Sequence, residues 1–300
     1  MSLPPETRPA DTGVIHDIGY RGYTGPRLGR AYATRSLFTQ SLRAAYGLGR
    51  SGKSKVLPMV VLGAITVPAV FMVAFALMQD QSDLPVDYPE YLGMFGLVVS
   101  IFLASQAPVL LSRDLRHQTV PLYFSRPITR ADYVRAKFAA MATAQLLLMA
   151  APLLVLYGGA LLAGMSFGHQ SAHFLYGLVA AVLYAVVPTS VALVIAAATP
   201  RRGFGVAAIM GYLAVSTAVV GIVVGISSGP SLIVPDSAQW VALLSPGGLV
   251  ESLVNQLFDL GKDPGRMHAP GALGVVVFAA AAVAMVAGSY ALLLRRYHRI

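Results

Sequence analysis

The chain has 300 residues, of which 56% are hydrophobic and only 12% are charged. A soluble domain carries roughly 25% charged residues, so a soluble enzyme is excluded and lipid is the expected surrounding of most of the chain. The absence of cysteine excludes disulfides and thiolate-based catalytic or metal sites. The net charge of +9 is concentrated between long apolar runs, a pattern that indicates contact with membrane lipids and not with nucleic acid.

Residues 1–29 are rich in proline and glycine, which predicts an irregular cytoplasmic arm. Tyr20, Arg21 and Tyr23 within it are candidates for docking on a partner or on lipid, and a mobile tail is the alternative. The first 55 residues contain no apolar run of the kind found in signal peptides, so we expect none to be cleaved.

Residues 30–55 are predicted to form an amphipathic helix followed by a hinge. Phe38, Leu42, Ala45 and Tyr46 recur at helical spacing, and arginines supply a basic complement. The sequence favours a helix that lies in the cytoplasmic membrane interface, with an ordinary solvated helix as the alternative.

The string Gly47–Ser54 matches the phosphate-loop pattern G-x-x-x-x-G-K-S. That motif binds nucleotide only when a β-strand leads into the loop and a helix begins at the phosphates. Here an amphipathic helix precedes the string and a membrane span follows it. We therefore interpret it as a chance match in a flexible basic hinge, and we expect no nucleotide or other cofactor to bind this chain.

Six apolar stretches are long enough to cross a bilayer, which takes about 20 residues as a helix. They predict an all-α, polytopic transmembrane helical bundle within residues 56–300. The spans are Val56–Met78, Tyr91–Leu111, Phe138–Leu162, Phe174–Ala198, Phe204–Ile226 and Gly271–Leu294.

Basic residues are sorted to one side of these spans. Twenty of the 22 Lys and Arg residues lie before the first span, between spans 2 and 3, between spans 4 and 5, or at the C-terminus. The positive-inside rule therefore places both termini in the cytoplasm, in agreement with an even number of spans. The expected location is a bacterial cytoplasmic membrane.

The spans contain no Asp, Glu, Lys, Arg or His, which disfavours a proton-coupled carrier. Mildly polar residues remain as candidates for a substrate path, with hydrogen bonding between helices as an equal alternative. The candidates are Ser105, Gln106, Gln145, Tyr184 and Thr189.

Two further segments lie on the opposite side of the membrane. His169 and His173 resemble half of a zinc motif, but Gln170 replaces its glutamate and no third ligand is evident, so we expect a polar loop and no metal. Residues 227–270 contain Trp240–Phe258, broken at Pro246, which predicts two short helices dipping into the outer leaflet with Trp240 at the interface. A plain external hairpin is the alternative.

The loop 112–137 is the most informative segment. Thr119 is placed to cap a short helix that presents Leu122, Tyr123 and Phe124 and that Arg126-Pro127 ends. The capping-box pattern Thr129–Asp132 then begins a second helix that continues into span 3. Arg135 and Lys137 are expected at the level of the lipid headgroups.

In this loop the chain resembles the ABC-2 type permeases of ABC transporters. That family typically shows an acidic residue, a Gly-Thr-like pair, an apolar helix, a Ser-x-Pro-Ile turn and a Tyr-x-x-x-Lys start of the third span. The matching residues are Asp114, Gln118-Thr119, Leu122–Phe124, Ser125–Ile128 and Tyr133–Lys137. Gln118 departs from the family's glycine, and Asp114 from its more usual glutamate. Residues 15–20 and 25–30 look like an actinobacterial subgroup.

The resemblance implies the membrane subunit of an ATP-driven exporter with no catalytic site of its own. A separate ABC ATP-binding subunit would hold ATP and Mg²⁺, and a second permease copy, identical or paralogous, would complete the path. The helix Thr119–Phe124 would couple to the ATPase, with Asp114, Arg126 and Pro127 beside it. A secondary carrier and a non-transporting scaffold or assembly protein are the alternatives. Apolar spans suggest a lipophilic or amphiphilic cargo.

Overall fold

The computed structural model describes residues 25, 28–79, 81–125, 127–229, 233–260 and 266–298. Most of the predicted arm and Arg126 therefore lie outside the described residues. Within the described part the chain is helical and contains no β-strand. The helices are α1 (Arg30–Ala45), α2 (Lys53–Met78), α3 (Tyr88–Met94), α4 (Gly96–Leu110), α5 (Ser112–Arg116), α6 (Val120–Phe124), α7 (Arg130–Leu162), α8 (Phe167–Ala198), α9 (Arg202–Ser228), α10 (Asp236–Gln239), α11 (Pro246–Leu257) and α12 (Gly271–His298).

Six segments are long and apolar enough to cross a membrane, as the sequence predicts. They are α2, the consecutive helices α4 and α5, α7, α8, α9 and α12. The chain is thus an all-α, multi-pass membrane protein. Its buried side chains form two large clusters, one around Phe102, Tyr133 and Leu148, and the other around Tyr88, Leu153 and Phe278. The first cluster holds the predicted coupling loop, and the second holds the long loop before α12.

The second span begins later than predicted. The helix breaks at Phe95, so the predicted start at Tyr91 belongs to the separate short helix α3. Tyr88 of α3 is buried, and its hydroxyl donates a hydrogen bond to Oε1 of Gln170 at 2.8 Å. The packing of Tyr88 against α8 therefore sets the position of α3 independently of the span that follows.

The third span continues the helix that the capping box begins, as predicted, and the fourth span begins earlier than predicted. The capping box at Thr129 and Asp132 is present, and α7 runs from there without a break for 33 residues. The residues His169–His173 form the first turns of α8, so the predicted polar loop is wrong. Their rings lie 4.1 Å apart, and each histidine has a carboxylate partner, Asp83 or Asp87.

The predicted helix before the first span is α1, and its apolar face packs within the bundle. Leu37, Ser41 and Ala45 are buried, and α1 contacts α7 and α4. The hydroxyl of Tyr46 donates to the carbonyl oxygen of Ala144 in α7 at 2.7 Å. The apolar side of α1 is therefore occupied by the protein, and only its outward, basic side is left to contact the membrane interface.

The segment 227–270 contains short helices broken next to Pro246, as predicted. A 3₁₀ helix, Trp240–Leu244, ends at Ser245, whose Oγ atom accepts from the amide of Gly248 at the start of α11. Leu249, Val250 and Leu253 of α11 are buried, and α11 packs against α8, α9 and α12. Because α11 fills a groove of the bundle, a plain external hairpin does not describe it. Its depth in the outer leaflet stays a prediction.

Candidate functional site

The loop between α4 and α7 folds into two short helices joined by a tight turn. Helix α5 continues the second span, and the hydroxyl of Ser112 donates to the carbonyl oxygen of Ala196 at 2.8 Å, which anchors α5 to the end of α8. The turn passes through Gln118, whose φ of 51° lies in the left-handed region. This turn reverses the chain so that α6 lies beside the start of α7.

A buried ion pair stands behind the turn. Nζ of Lys137 lies 2.8 Å from Oδ2 of Asp114, and the same carboxylate oxygen accepts a hydrogen bond from the hydroxyl of Tyr133 at 2.9 Å. The Lys137 side chain is only 7% exposed, so it faces the interior of the bundle, and its depth at the level of the lipid headgroups stays a prediction. Asp114 draws the lysine inward because a buried carboxylate requires a charged or hydrogen-bonding partner.

Helix α6 has one outward and one inward side. Leu122 is 67% exposed, and Pro121 and Pro127 are also exposed. Tyr123 and Phe124 are half-buried and pack on the ring of Tyr133, with centroids 5.6 and 6.1 Å apart. Of the three apolar side chains predicted to face a partner, only Leu122 is exposed. The two aromatic rings instead pack α6 against α7.

Thr119 precedes α6, but its side chain does not cap that helix. Its Oγ1 donates instead to the carbonyl oxygen of Asp114 at 3.2 Å, and its amide bonds to the same oxygen at 3.0 Å. The residue thus closes the turn from α5 to α6. The predicted position of Thr119 at the start of a short helix is right, and the predicted capping role is wrong.

The start of α7 is clamped to the start of α1. The guanidinium of Arg30 donates to both carboxylate oxygens of Asp132, at 2.6 and 2.9 Å, and to Oγ1 of Thr129 at 3.1 Å. Asp132 also completes the capping box of α7. The Asp132 carboxylate therefore joins α1, which precedes the first span, to α7, which follows the loop 112–137.

The five substrate-path candidates are dispersed over α4, α7 and α8. Ser105 and Gln106 are buried and hydrogen-bonded to each other at 3.1 Å. Gln145 and Thr189 are buried, and their Oε1 and Oγ1 atoms have no hydrogen-bond partner within the described chain. Tyr184 is half-buried. The structure brings together only Ser105 and Gln106, whose hydrogen bonds stay within α4, so substrate contact and hydrogen bonding between helices both stay predictions for the five residues.

The phosphate-loop string forms a turn between two helices. Gly47 and Gly49 have φ values of 68° and 80°, and α2 begins at Lys53. A Cβ atom on Gly47 would collide with the carbonyl of Ser54, so the turn folds tightly onto the start of α2. A helix, α1, occupies the place where the nucleotide-binding motif requires a strand.

Sequence reasoning missed one buried charge at the far end of the bundle from α6. Glu251 of α11 is half-buried, and desolvation raises its pKa above the usual range, with Glu90 adding to the rise and Arg266 opposing it. Arg266 itself pairs with Glu90 at 2.7 Å. Glu251 lies between the buried Val250 and Ser252, and its being the one charged residue in the apolar stretch Trp240–Phe258 was the available signal. No group of three or more His, Asp or Glu side chains in the described residues is placed to hold a metal ion.

Comparison with known proteins agrees with this architecture. No curated relative matches the chain significantly. The family model described as ABC-2 family transporter protein matches residues 93–297, which include the second span, the loop 112–137 and the helices from there to all but the last residue of α12. Because this match covers more than half of the 300 residues, the chain belongs to the ABC-2 family of transporter proteins, as a membrane-embedded permease subunit.

Proposed function

We propose that the chain is the permease subunit of an ATP-driven exporter, with both termini in the cytoplasm. It would pair with an ABC ATP-binding subunit, which holds ATP and Mg²⁺, and with a second permease copy. Membership of the ABC-2 family supports the permease role. The export direction and the subunit arrangement are what the proposal adds.

The observation that carries the proposal is the exposed Leu122 on a helix fixed from behind. A free surface loop would absorb a push from a partner by bending. Here the inward side of α6 packs on Tyr133, and Asp114 just before it pairs with Lys137 one turn further along α7. Tyr133 in turn packs on Tyr297 at the end of α12, with ring centroids 5.0 Å apart. A partner that moves α6 would thereby move two spans.

The experiment is co-purification of the full chain with a co-expressed candidate ABC ATPase from the same organism. We expect Leu122→Asp to abolish association while the melting temperature is retained, because an exposed side chain contributes little to folding. The matched control is Leu162→Asp, an 89% exposed leucine at the other end of α7, which should keep the ATPase bound. Undiminished association of the Leu122→Asp variant would refute the assignment of α6.

The same preparation distinguishes the alternatives. An exporter should move a lipophilic cation or dye across proteoliposomes only with the ATPase and ATP present. A secondary carrier would transport without the ATPase, and a scaffold would bind partners without transport. We propose a lipophilic or amphiphilic cargo because the spans carry uncharged, largely apolar side chains.

A further inference from the structure

A basic cavity lies between α1, the turn after it and the start of α5. Its volume is about 710 Å³, and its lining includes the side chains of four arginines, Arg35, Arg43, Arg50 and Arg113. A neighbouring cavity of about 350 Å³ shares Arg50 and Arg113 and reaches Lys137. Three separate segments of the chain therefore contribute positive charge to one open cavity.

Within the described residues, no carboxylate neutralises these guanidinium groups by an ion pair. Asp114 lines the smaller cavity, but Lys137 already pairs with it. Four cations around one cavity create a positive potential there, which favours an anionic ligand.

The chemistry of the lining fits phosphate. A guanidinium presents a planar fork of donors that matches two phosphate oxygens at once. The hydroxyls of Ser36 and Thr39, one turn apart on α1, also line the larger cavity, although Thr39 already donates to the backbone of Arg35. Four arginines exceed what one phosphate requires, which favours a headgroup with more than one negative charge.

The cavity lies against the base of a membrane span. Leu48 lines it and is 45% exposed, and the turn that follows folds onto the first residues of α2. From there the exposed side of α2 is apolar, with Val56 58% and Val60 62% exposed. If a ligand placed a phosphate group in the cavity, its hydrocarbon tail could therefore pack on an apolar surface. A free nucleotide has no such tail.

We propose that this cavity binds the phosphate headgroup of an anionic phospholipid, with the acyl chains along α2. Gly49 and Arg50 of the phosphate-loop string line the cavity, so the string contributes to a lipid phosphate site and not to a nucleotide site. The bound lipid would stabilise the contact between α1 and the loop that contains α6. The proposal depends on the geometry of this cavity alone and stands whether or not an ATPase binds α6.

The test uses the full chain, delipidated in an uncharged detergent, and cardiolipin bearing a fluorescent acyl chain. Dissociation constants are measured by anisotropy, with phosphatidylcholine, inorganic phosphate and MgATP as competitors. Each arginine removed near a lipid surface should weaken binding roughly fivefold, so Arg35→Gln with Arg43→Gln should weaken it about 25-fold. The control pair Arg201→Gln with Arg202→Gln, exposed and outside the cavity, should change it less than about twofold.

Three results would overturn the proposal. The first is equal affinity of the Arg35/Arg43 variant and the native chain, and the second is equal competition by phosphatidylcholine. The third is displacement of the lipid by millimolar phosphate or MgATP, which would identify a free phosphate or a nucleotide as the ligand. If the double variant is not monodisperse, Arg113→Gln alone should give about a fivefold loss.

Discussion

Lys137 and Asp114 form an ion pair of 2.8 Å in which the two side chains are only 7% and 14% exposed. Transferring both charges out of water costs free energy that their attraction offsets only when the geometry is good and further hydrogen bonds are present. The hydroxyl of Tyr133 supplies such a bond to the carboxylate. The pair therefore joins the end of the second span to the start of the third at one fixed distance.

Breaking this pair from one side should strongly destabilise the protein. We expect Lys137→Met to lower the free energy of unfolding by about 3–5 kcal/mol, because it leaves the Asp114 carboxylate buried without its cation. The double variant with Asp114→Asn should lose less than the sum of the two single variants. Unfolding in detergent followed by tryptophan fluorescence or thermal shift measures both effects.

The control for this prediction is Arg116→Met, which removes an exposed cation from α5 that has no ion pair among the described residues. Its effect should lie within about 0.5 kcal/mol, as for most surface substitutions. A loss for Lys137→Met no larger than that of the control would show that the pair contributes nothing to the fold.

The clamp between α1 and α7 should depend more on the helix cap than on the ion pair. Thr129→Ala removes the capping oxygen of α7 and should cost about 1 kcal/mol. Arg30→Gln removes an ion pair whose arginine is 57% exposed. Asp132 is only 9% exposed but keeps two hydrogen bonds from Thr129, so the effect should be smaller and should shrink in high salt. Thermal shifts measured with and without 1 M salt separate the two terms, and a salt-independent loss for Arg30→Gln would contradict this division.

The left-handed backbone at Gln118 predicts a stabilising substitution. A side chain in that conformation costs roughly 1–2 kcal/mol, whereas glycine adopts it freely. Gln118→Gly should therefore raise the melting temperature, although the greater freedom of the unfolded chain reduces the gain. His117→Gly is the control, since its φ of −91° suits any residue, and it should give no gain. If both glycines act alike, strain at Gln118 is not the cause.

The sequence was sufficient to predict the spans, because a long apolar run without charge has few structures open to it in lipid. Where it failed, a neighbouring helix decided the structure. Residues 91–94 carry no charge and run directly into the apolar span, and the packing of α3 on α8 separates the two helices. In the same way His169 and His173 are polar enough for a loop, yet they lie on the first turns of α8, where Asp83 and Asp87 of the segment between α2 and α3 pair with them.

The helices of the loop 112–137 could be predicted because one of their signals lies within a few residues of sequence. Thr129 and Asp132 are three residues apart, so their capping box can be seen in the sequence. The pairing of Asp114 with Lys137 spans 23 residues and depends on the turn at Gln118, which no short motif specifies. The sequence therefore predicted a short helix here without showing which of its side chains face outward.

Desolvation among the residues around α11 raises the pKa of Glu251. A carboxyl with a raised pKa in the folded state destabilises the fold at neutral pH, and this penalty disappears as the pH falls through the folded pKa towards the unfolded value. Glu251→Gln should therefore raise the melting temperature at pH 7.5 and change it much less at about pH 4. The exposed Asp259→Asn variant is the control and should show no such gain. A Glu251→Gln variant that is less stable at pH 7.5 would show instead that Arg266, which opposes the rise, dominates and that the carboxylate is held as an anion in the folded protein.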